Sequence, residues 1–411
     1  MYTEFIKNVF LKKWVLTILT LLCLVSFSFL GYHLLRSNLY VLNNQRNLQT
    51  LVKKQVYVGN DQTSDAQIKK SFAGKSATKA DAHARQVLNY LDQNYHYALR
   101  WSFDGNLANG RDVSIDTVNA NFFTFYLISV ASGRTFNARD YTSSSSEIPV
   151  LIGAKLAKSH PLGSKFSIVN TSSGKKEWYK VVGVMAANAS VPSVYLLDNQ
   201  TYLNNSIIRP FRKADRKNLT ATQLMSAMQD LIVYDTSQAQ LTKLTQKFNQ
   251  GSFFKIRFIS AKKNMADFYT NYKGTAIMFA LISLIILAIA TGIIIWNTWS
   301  CLKEEQSEIA LRISLGLLPK NMLIAAIIYQ VLISLVAVIP VTVYAVTYTK
   351  TLAQTAVGIS SQIVLSGLLP KAEATSLVSI FALMLVITVF AVILVTSRFS
   401  KQSLAFRMGE E

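Results

Sequence analysis

Polar and apolar positions alternate along most of the chain, but four stretches, residues 14–32, 275–296, 322–348 and 374–397, contain no Asp, Glu, Lys or Arg at all. Each reaches the ~20 residues that a helix needs to cross the hydrocarbon core of a bilayer. One stretch stands near the start, three stand near the end, and a long polar region separates them. The pattern predicts an α-helical membrane protein with four transmembrane helices in a one-plus-three arrangement and a large domain between the first two. Residues 5, 6, 9 and 10 are apolar at helical spacing, so residues 1–13 read as an amphipathic helix lying on the membrane surface. The transmembrane segments are then 14–35, 274–297, 322–349 and 374–397.

Charge orients this arrangement. Lys7, Lys12 and Lys13 precede the first span, Lys303, Arg312 and Lys320 lie between the second and third, and Arg398, Lys401 and Arg407 follow the fourth. Basic residues beside span ends are retained in the cytoplasm. Both termini, the tail 398–411 and the loop 298–321 are therefore expected inside, with residues 36–273 and the loop 350–373 outside a bacterial cytoplasmic membrane. The 36–273 region is itself basic, with about 31 Lys+Arg against about 15 Asp+Glu over residues 33–273. Long translocated domains escape the charge rule, so there is no conflict. A cleaved signal peptide fits the N-terminus less well, because the apolar run is long and no small-x-small site follows it. Composition agrees with a membrane chain, at 51% hydrophobic residues and a mean hydropathy of +0.27. The two cysteines, Cys23 and Cys301, lie in a span and in the inner loop, so the outer domain is expected to hold together without disulfides.

Within the outer region, residues 78–99 carry a helical apolar face and residues 148–152 and 179–185 are apolar runs of strand length. The turn at Ser173-Gly174-Lys175 predicts a hairpin leading into the second run. A polar linker is expected at 59–76, a short helical piece at 156–159, a strand at 231–234, a helix at 238–249 and a strand at 253–259. Residues 186–227 are irregular and basic and read as an inserted subdomain. The fold class is thus four transmembrane helices plus a large α+β extracytoplasmic domain.

The sharpest local signal is the run 304–316, Glu-Glu-Gln-Ser-Glu-Ile-Ala-Leu-Arg-Ile-Ser-Leu-Gly. Its apolar positions recur every three to four residues, its acidic end suits a helix N-terminus, and Gly316 with Pro319 supplies a stop. A solvated connecting helix fits that pattern, and so does a docking helix. The run also resembles the "E-x-x-x-E-I-x-[IL]-[RM]-x-[AS]-[IL]-G" loop of MacB/FtsX-type (type VII) ABC transporter permeases. Val118 to Phe123, the Ser132-Gly133-Arg134-Thr135-Phe136 segment, Leu151-Ile152-Gly153 and Tyr179-x-Val181-Val182-Gly183-Val184 are similar to further family segments and occur in the same order. Glu305 and Ser307 stand where the family loop usually carries basic residues, and Leu317 and Leu318 where it has a small residue followed by Arg.

The resemblance implies a MacB-like periplasmic core as the outer domain and a non-catalytic permease subunit. It implies a cytoplasmic ABC ATPase dimer as partner, which binds the ATP and Mg, and a second permease chain, identical or related. The loop residues Glu304, Glu308, Ile309, Leu311, Arg312, Leu315 and Gly316 would couple to that ATPase. Such a permease exports or extracts a peptide, antibiotic or lipid-linked substrate, with or without an extracytoplasmic adaptor. The alternative is an FtsX-like regulator that activates a cell-wall hydrolase without transport. This chain contains no Gly-x-x-x-x-Gly-Lys-Ser/Thr loop, and at Gly74-Lys75-Ser76 the first glycine is replaced by Lys69.

Other chemistry is sparse. His33, His83, His96 and His160 lack metal-ligand spacing, no cofactor is expected in this chain, and Ser143–Ser146 lacks a nucleophile elbow. Small residues in the spans, Gly292, Ala337 and Ala391, suit helix packing. The cluster Arg209, Arg212, Lys213, Arg216 and Lys217 reads either as a solvated face or as a site for an anionic envelope partner. Nucleic acid is excluded by the outside placement, whereas membrane lipids are expected neighbours.

Overall fold

The computed structural model describes residues 13–48, 51, 55–71, 74–107, 110, 112–170, 174–307, 309, 319–355 and 369–408. They divide into two compact units, one within Met1–Leu39, Tyr272–Thr347 and Lys371–Glu411 and one within Tyr40–Asn271 and Tyr348–Pro370. The longer helices are α1 (Trp14–Asn47), α2 (Asp65–Ser71), α3 (Lys75–Asn94), α4 (Ala221–Met228), α5 (Gln238–Asn249), α6 (Ala261–Glu304), α7 (Pro319–Thr355) and α8 (Lys371–Met408).

The first unit is a bundle of α1, α6, α7 and α8, each long and apolar enough to cross a membrane. Large apolar side chains such as Leu284, Val386 and Trp296 are exposed on the bundle surface, as expected of helices whose solvent is lipid. At the bundle centre Leu24 and Phe27 of α1, Ala290 of α6, Ala337 of α7, and Ile380 and Met384 of α8 form one buried cluster. Small residues permit this approach. A Cβ on Gly31 would come within 2.3 Å of Ile380 Cδ1, so a side chain there would require Ile380 to move. Ala337 and Ala391 are buried as expected. Gly292 is a correction, because none of the described residues lies within 4 Å of where its Cβ would stand. Residues 1–12, where the surface helix is expected, lie outside the described residues.

The second unit is α+β and has two layers of organisation. Its strands are β1 (Val56–Asp61), β2 (His96–Ala98), β3 (Arg100–Leu107), β4 (Asp112–Val118), β5 (Val130–Gly133), β6 (Glu147–Ile152), β7 (Lys165–Asn170), β8 (Lys176–Met185), β9 (Ser190–Pro192), β10 (Gln200–Tyr202), β11 (Ser206–Pro210), β12 (Ile232–Tyr234) and β13 (Ile256–Ser260). The order β13-β1-β12-β2 makes an antiparallel sheet. Against it, α3 packs Ala84, Val87, Leu88 and Leu91, α4 packs Leu224 and Met228, and α5 packs Leu244 and Phe248 in one core. The helix at 238–249 is encoded locally: Ser237 and Gln240 form a reciprocal capping box.

The larger sheet, ordered β5-β8-β6-β11-β4-β3-β7, closes on itself through a β7–β8 ladder. Closure makes a barrel and removes exposed edges along the ring. Inward-facing Val113, Ile115, Val150, Ile168, Val181 and Ile207 are at most 1% exposed and form its core; each such side chain contributes roughly 1.5–3 kcal/mol by burial. Gly153, at the end of β6, lies under the 203–204 backbone, where a Cβ would be 2.1 Å from the Leu203 carbonyl oxygen. That contact accounts for the glycine after the Leu151-Ile152 pair.

Four further expectations are corrected. Residues 186–227 are not an inserted subdomain: β11 lies mid-ring between β6 and β4, and α4 sits in the core of the smaller sheet. The basic composition of the segment concealed the wholly buried Ser206–Pro210 strand. The linker at 59–76 contains the end of β1 and all of α2. Residues 156–159 form turns rather than a helical piece, and the helix expected at 78–99 stops at Asn94, giving way to β2.

Candidate coupling site

α6 ends at a polar corner of the bundle. Lys13 donates to Ser300 Oγ and pairs with Glu304 Oε1 at 2.5 Å, joining the start of α1 to the last turn of α6. One turn deeper, Thr17 Oγ1 meets Tyr329 Oη of α7 at 2.7 Å, and Cys301 Sγ donates to Asn297 Oδ1 at 3.4 Å. Beside these groups is an apolar cluster of Leu302, Met322, Ala326, Tyr329, Val395 and Phe399.

Ile309 belongs to that cluster and is 3% exposed, and its amide donates to Glu305 O at 2.9 Å in helical fashion. Ile309, expected among the residues that couple to the ATPase, is thus already packed against the bundle. A side chain already removed from water gains little from burial against a partner, so Ile309 anchors the loop to the bundle. Glu304 is half-exposed and held by Lys13. Glu308, Leu311, Arg312, Leu315 and Gly316 lie outside the described residues.

At the opposite end of the bundle Arg36 Nε donates to Glu373 Oε1 at 2.6 Å and Tyr32 Oη donates to Glu373 Oε2, with Glu373 1% exposed. Tyr32 and Arg36 are one helical turn apart on α1 and clasp the first turn of α8. His33 packs between Phe29 and Tyr344. Sequence reading missed this clasp. Its only signal was an acidic residue immediately before an apolar stretch.

In the α+β unit the basic segment separates into two kinds of residue. Arg209 is 4% exposed, with Nη1 donating to Glu177 at 2.7 Å and Nη2 to Asp215 at 2.8 Å. Burial opposes its charge, but Tyr179, Asp215 and Glu177 outweigh burial and hold the guanidinium above its usual range. Arg212 is also buried and donates to the Ser145 carbonyl at 2.7 Å. Arg216 pairs with Asp92 and lies over the Phe211 ring. Lys213 and Lys217 are exposed. Arg209 and Arg212 are thus corrected from anion-binding candidates to internal cross-braces between β8, β11 and the following turn.

The remaining candidates are structural in form. Ser143 and Ser145 hydroxyls accept from the Ser145 and Glu147 amides, closing two successive turns. His83 is hydrogen-bonded to Phe248 O at 3.1 Å, His96 stacks on Tyr234 and His160 on Phe166. Among the described residues, no group of three or more His, Cys, Asp and Glu side chains is placed to hold a metal.

Comparison with known proteins follows the same division of the chain. Residues 17–247 match the MacB-like periplasmic core domain, and residues 280–404 match the FtsX-like permease C-terminal domain. No curated protein matches the chain. Among solved structures, the extracellular domain of the noncanonical ABC-type transporter YknZ from Gram-positive bacteria is 14% identical, with a TM-score of 0.31, covering 50% of this chain and 99% of that one. The periplasmic region of MacB from Actinobacillus actinomycetemcomitans is 12% identical, with a TM-score of 0.33, covering 55% of this chain and 96% of that one. A domain of a permease protein from Porphyromonas gingivalis is 12% identical, with a TM-score of 0.25, covering 42% of this chain and 81% of that one. The two family matches together take in the first span, most of the α+β unit and the last three helices, so the chain belongs to the MacB/FtsX family of ABC transporter permeases, as a membrane protein with a large extracellular domain.

Proposed function

We propose that this permease couples ATP hydrolysis by a separate cytoplasmic ATPase dimer to movement of its outer domain, and so exports or extracts a peptide, antibiotic or lipid-linked substrate. Both termini and the α6–α7 loop then face the cytoplasm, and a second permease chain completes the complex. The observation that supports this reading is α6. It follows β13 without a loop and continues as one helix to Glu304, where Lys13 and the Ile309 anchor hold the start of the coupling loop. A helix is stiff along its axis, so a push on the loop is carried along α6 instead of being absorbed by a flexible joint. With Ile309 turned inward, Leu315 and Arg312 become the residues assigned to the ATPase, Arg312 through bidentate bonds to a carboxylate.

The test is co-purification of the ATPase and ATP turnover of the complex in lipid. Leu315→Asp should weaken assembly by at least about tenfold, since it removes an apolar contact and introduces a charge that must be desolvated. Normal assembly and turnover by Leu315→Asp would make the loop an ordinary connector. Orientation has its own check: on intact cells, an impermeant thiol reagent should label Ser144→Cys and spare Gln306→Cys, both positions being exposed on the folded chain. A hydrolase in place of an adaptor among the co-purifying proteins would favour the regulatory role instead.

A further inference from the structure

The hairpin β9–β10 closes a loop, residues 193–199, on which several elements converge. The loop is rigid in itself: the Ser193 amide donates to Asn199 O at 3.1 Å, the Asn199 amide to Leu196 O at 2.9 Å, and Ser193 Oγ accepts from the Tyr195 and Leu196 amides. From α1, Asn44 Nδ2 donates to Leu197 O at 2.8 Å and to Asn199 O at 3.1 Å. From the first turn of α6, Asn264 Nδ2 donates to Val194 O at 2.6 Å. Tyr195 Oη donates to the Gly59 carbonyl of β1. Below the loop, Tyr202 Oη meets Tyr40 Oη of α1 at 2.9 Å. The strand then leads through Asn204, whose carbonyl accepts from the Lys155 amide at 3.0 Å, into β11 in the middle of the barrel ring.

Asn44 is fully buried, and its Oδ1 has no hydrogen-bond partner among the described residues. Both of its donors are committed to the loop. Burying an amide is unfavourable unless its hydrogen bonds are made, so within α1 this side chain has one use, to hold Leu197 O and Asn199 O. α1 and α6 therefore grip the same loop through different carbonyls. A displacement of one helix against the other must break one grip or carry the loop with it.

We infer that loop 193–199 is the joint through which movement of α1 and α6 enters the barrel, and that Asn44 and Asn264 are the positioning residues that fasten it. This inference rests on the proposed coupling of ATP turnover to the outer domain.

The test uses the full chain with its co-purifying ATPase in lipid nanodiscs, after replacing Cys23 and Cys301 by Ser. Spin labels at the exposed positions Leu42 on α1 and Val169 on β7 report the helix-to-barrel distance, and labels at the exposed positions Leu22 and Ile285 report the distance between α1 and α6 within the bundle, away from the loop. In the parent, the first distance should stay narrowly distributed with and without ATP while the second changes on trapping ATP. Asn44→Leu, which keeps the volume and removes both donors, should broaden the Leu42–Val169 distribution already without nucleotide. It should also speed hydrogen exchange at the Ser193 and Asn199 amides by about tenfold, while the ATP response of the Leu22–Ile285 pair persists. A Leu42–Val169 distribution as narrow as the parent's would overturn the joint. A parent whose Leu22–Ile285 distance ignores ATP would sink the coupling mechanism, leaving the joint to be judged by the nucleotide-free width. Should Asn44→Leu fail to fold, Asn264→Leu at a half-buried position replaces it. That variant should broaden an Asp267–Val169 pair and leave Leu42–Val169 narrow, and no broadening there would equally overturn the inference.

Discussion

Arg209→Leu should destabilise the α+β unit by about 3–5 kcal/mol, the cost of breaking a buried pair by removing one partner. The reason is what remains. Glu177 and Asp215 keep their charges, each with a side chain 23% exposed, and lose the guanidinium that bonded to both. Their residual access to water should place the cost towards the lower end of that range. Arg209→Lys should also be costly, because an ammonium does not reproduce the fork that reaches two carboxylates at once. By contrast, Lys213→Glu with Lys217→Glu should change stability by no more than about 0.5 kcal/mol, as surface substitutions away from buried networks do. Urea unfolding followed by near-UV circular dichroism would measure both. An Arg209→Leu chain as stable as the parent would return the arginine to the surface and restore the anion-binding reading of the cluster.

The second large effect is expected at the clasp between α1 and α8, and it should be asymmetric. Arg36→Leu leaves the Glu373 carboxylate, 1% exposed, with Tyr32 as its remaining donor in this clasp, and should cost about 3–5 kcal/mol. Glu373→Gln leaves Arg36, whose side chain is 26% exposed and able to reach water by its long stem, so the loss should be smaller. Replacing both by Leu removes the charge problem altogether and should recover most of the stability, since a buried pair exchanged for apolar residues is often neutral. Thermal unfolding of the three variants in one detergent would rank them. If Arg36→Leu and Glu373→Gln lost equal stability, or the double variant were the least stable, the Arg36–Glu373 contact would not behave as a buried pair.

Much of the architecture could be read from residue order alone. A span must be apolar along its whole length because lipid offers no hydrogen bonds, which is why the four stretches fall within α1, α6, α7 and α8, although each helix runs beyond its stretch. The helix Gln238–Asn249 was legible for a related reason, its cap and its apolar face both being local. The runs at 148–152 and 179–185 fall within β6 and β8, since inward-facing strand positions must be apolar wherever the strand pairs.

What the sequence could not decide was partnership across distance. β11 pairs in parallel with β4 and β7 closes onto β8, choices made by the whole barrel core and by no local signal. The same limit explains the misread arginines and the missed clasp. A residue's charge is written in the chain, but whether Glu177 will stand beside Arg209, or Glu373 beside Arg36, depends on strands and helices that meet only on folding. The apolar spans, the α+β class and the family were thus determined by sequence, because composition and local order suffice for them. The tertiary structure alone decided which basic residues are internal braces, which way Ile309 turns and what Asn44 holds, because each depends on groups far away in the chain that burial deprives of water.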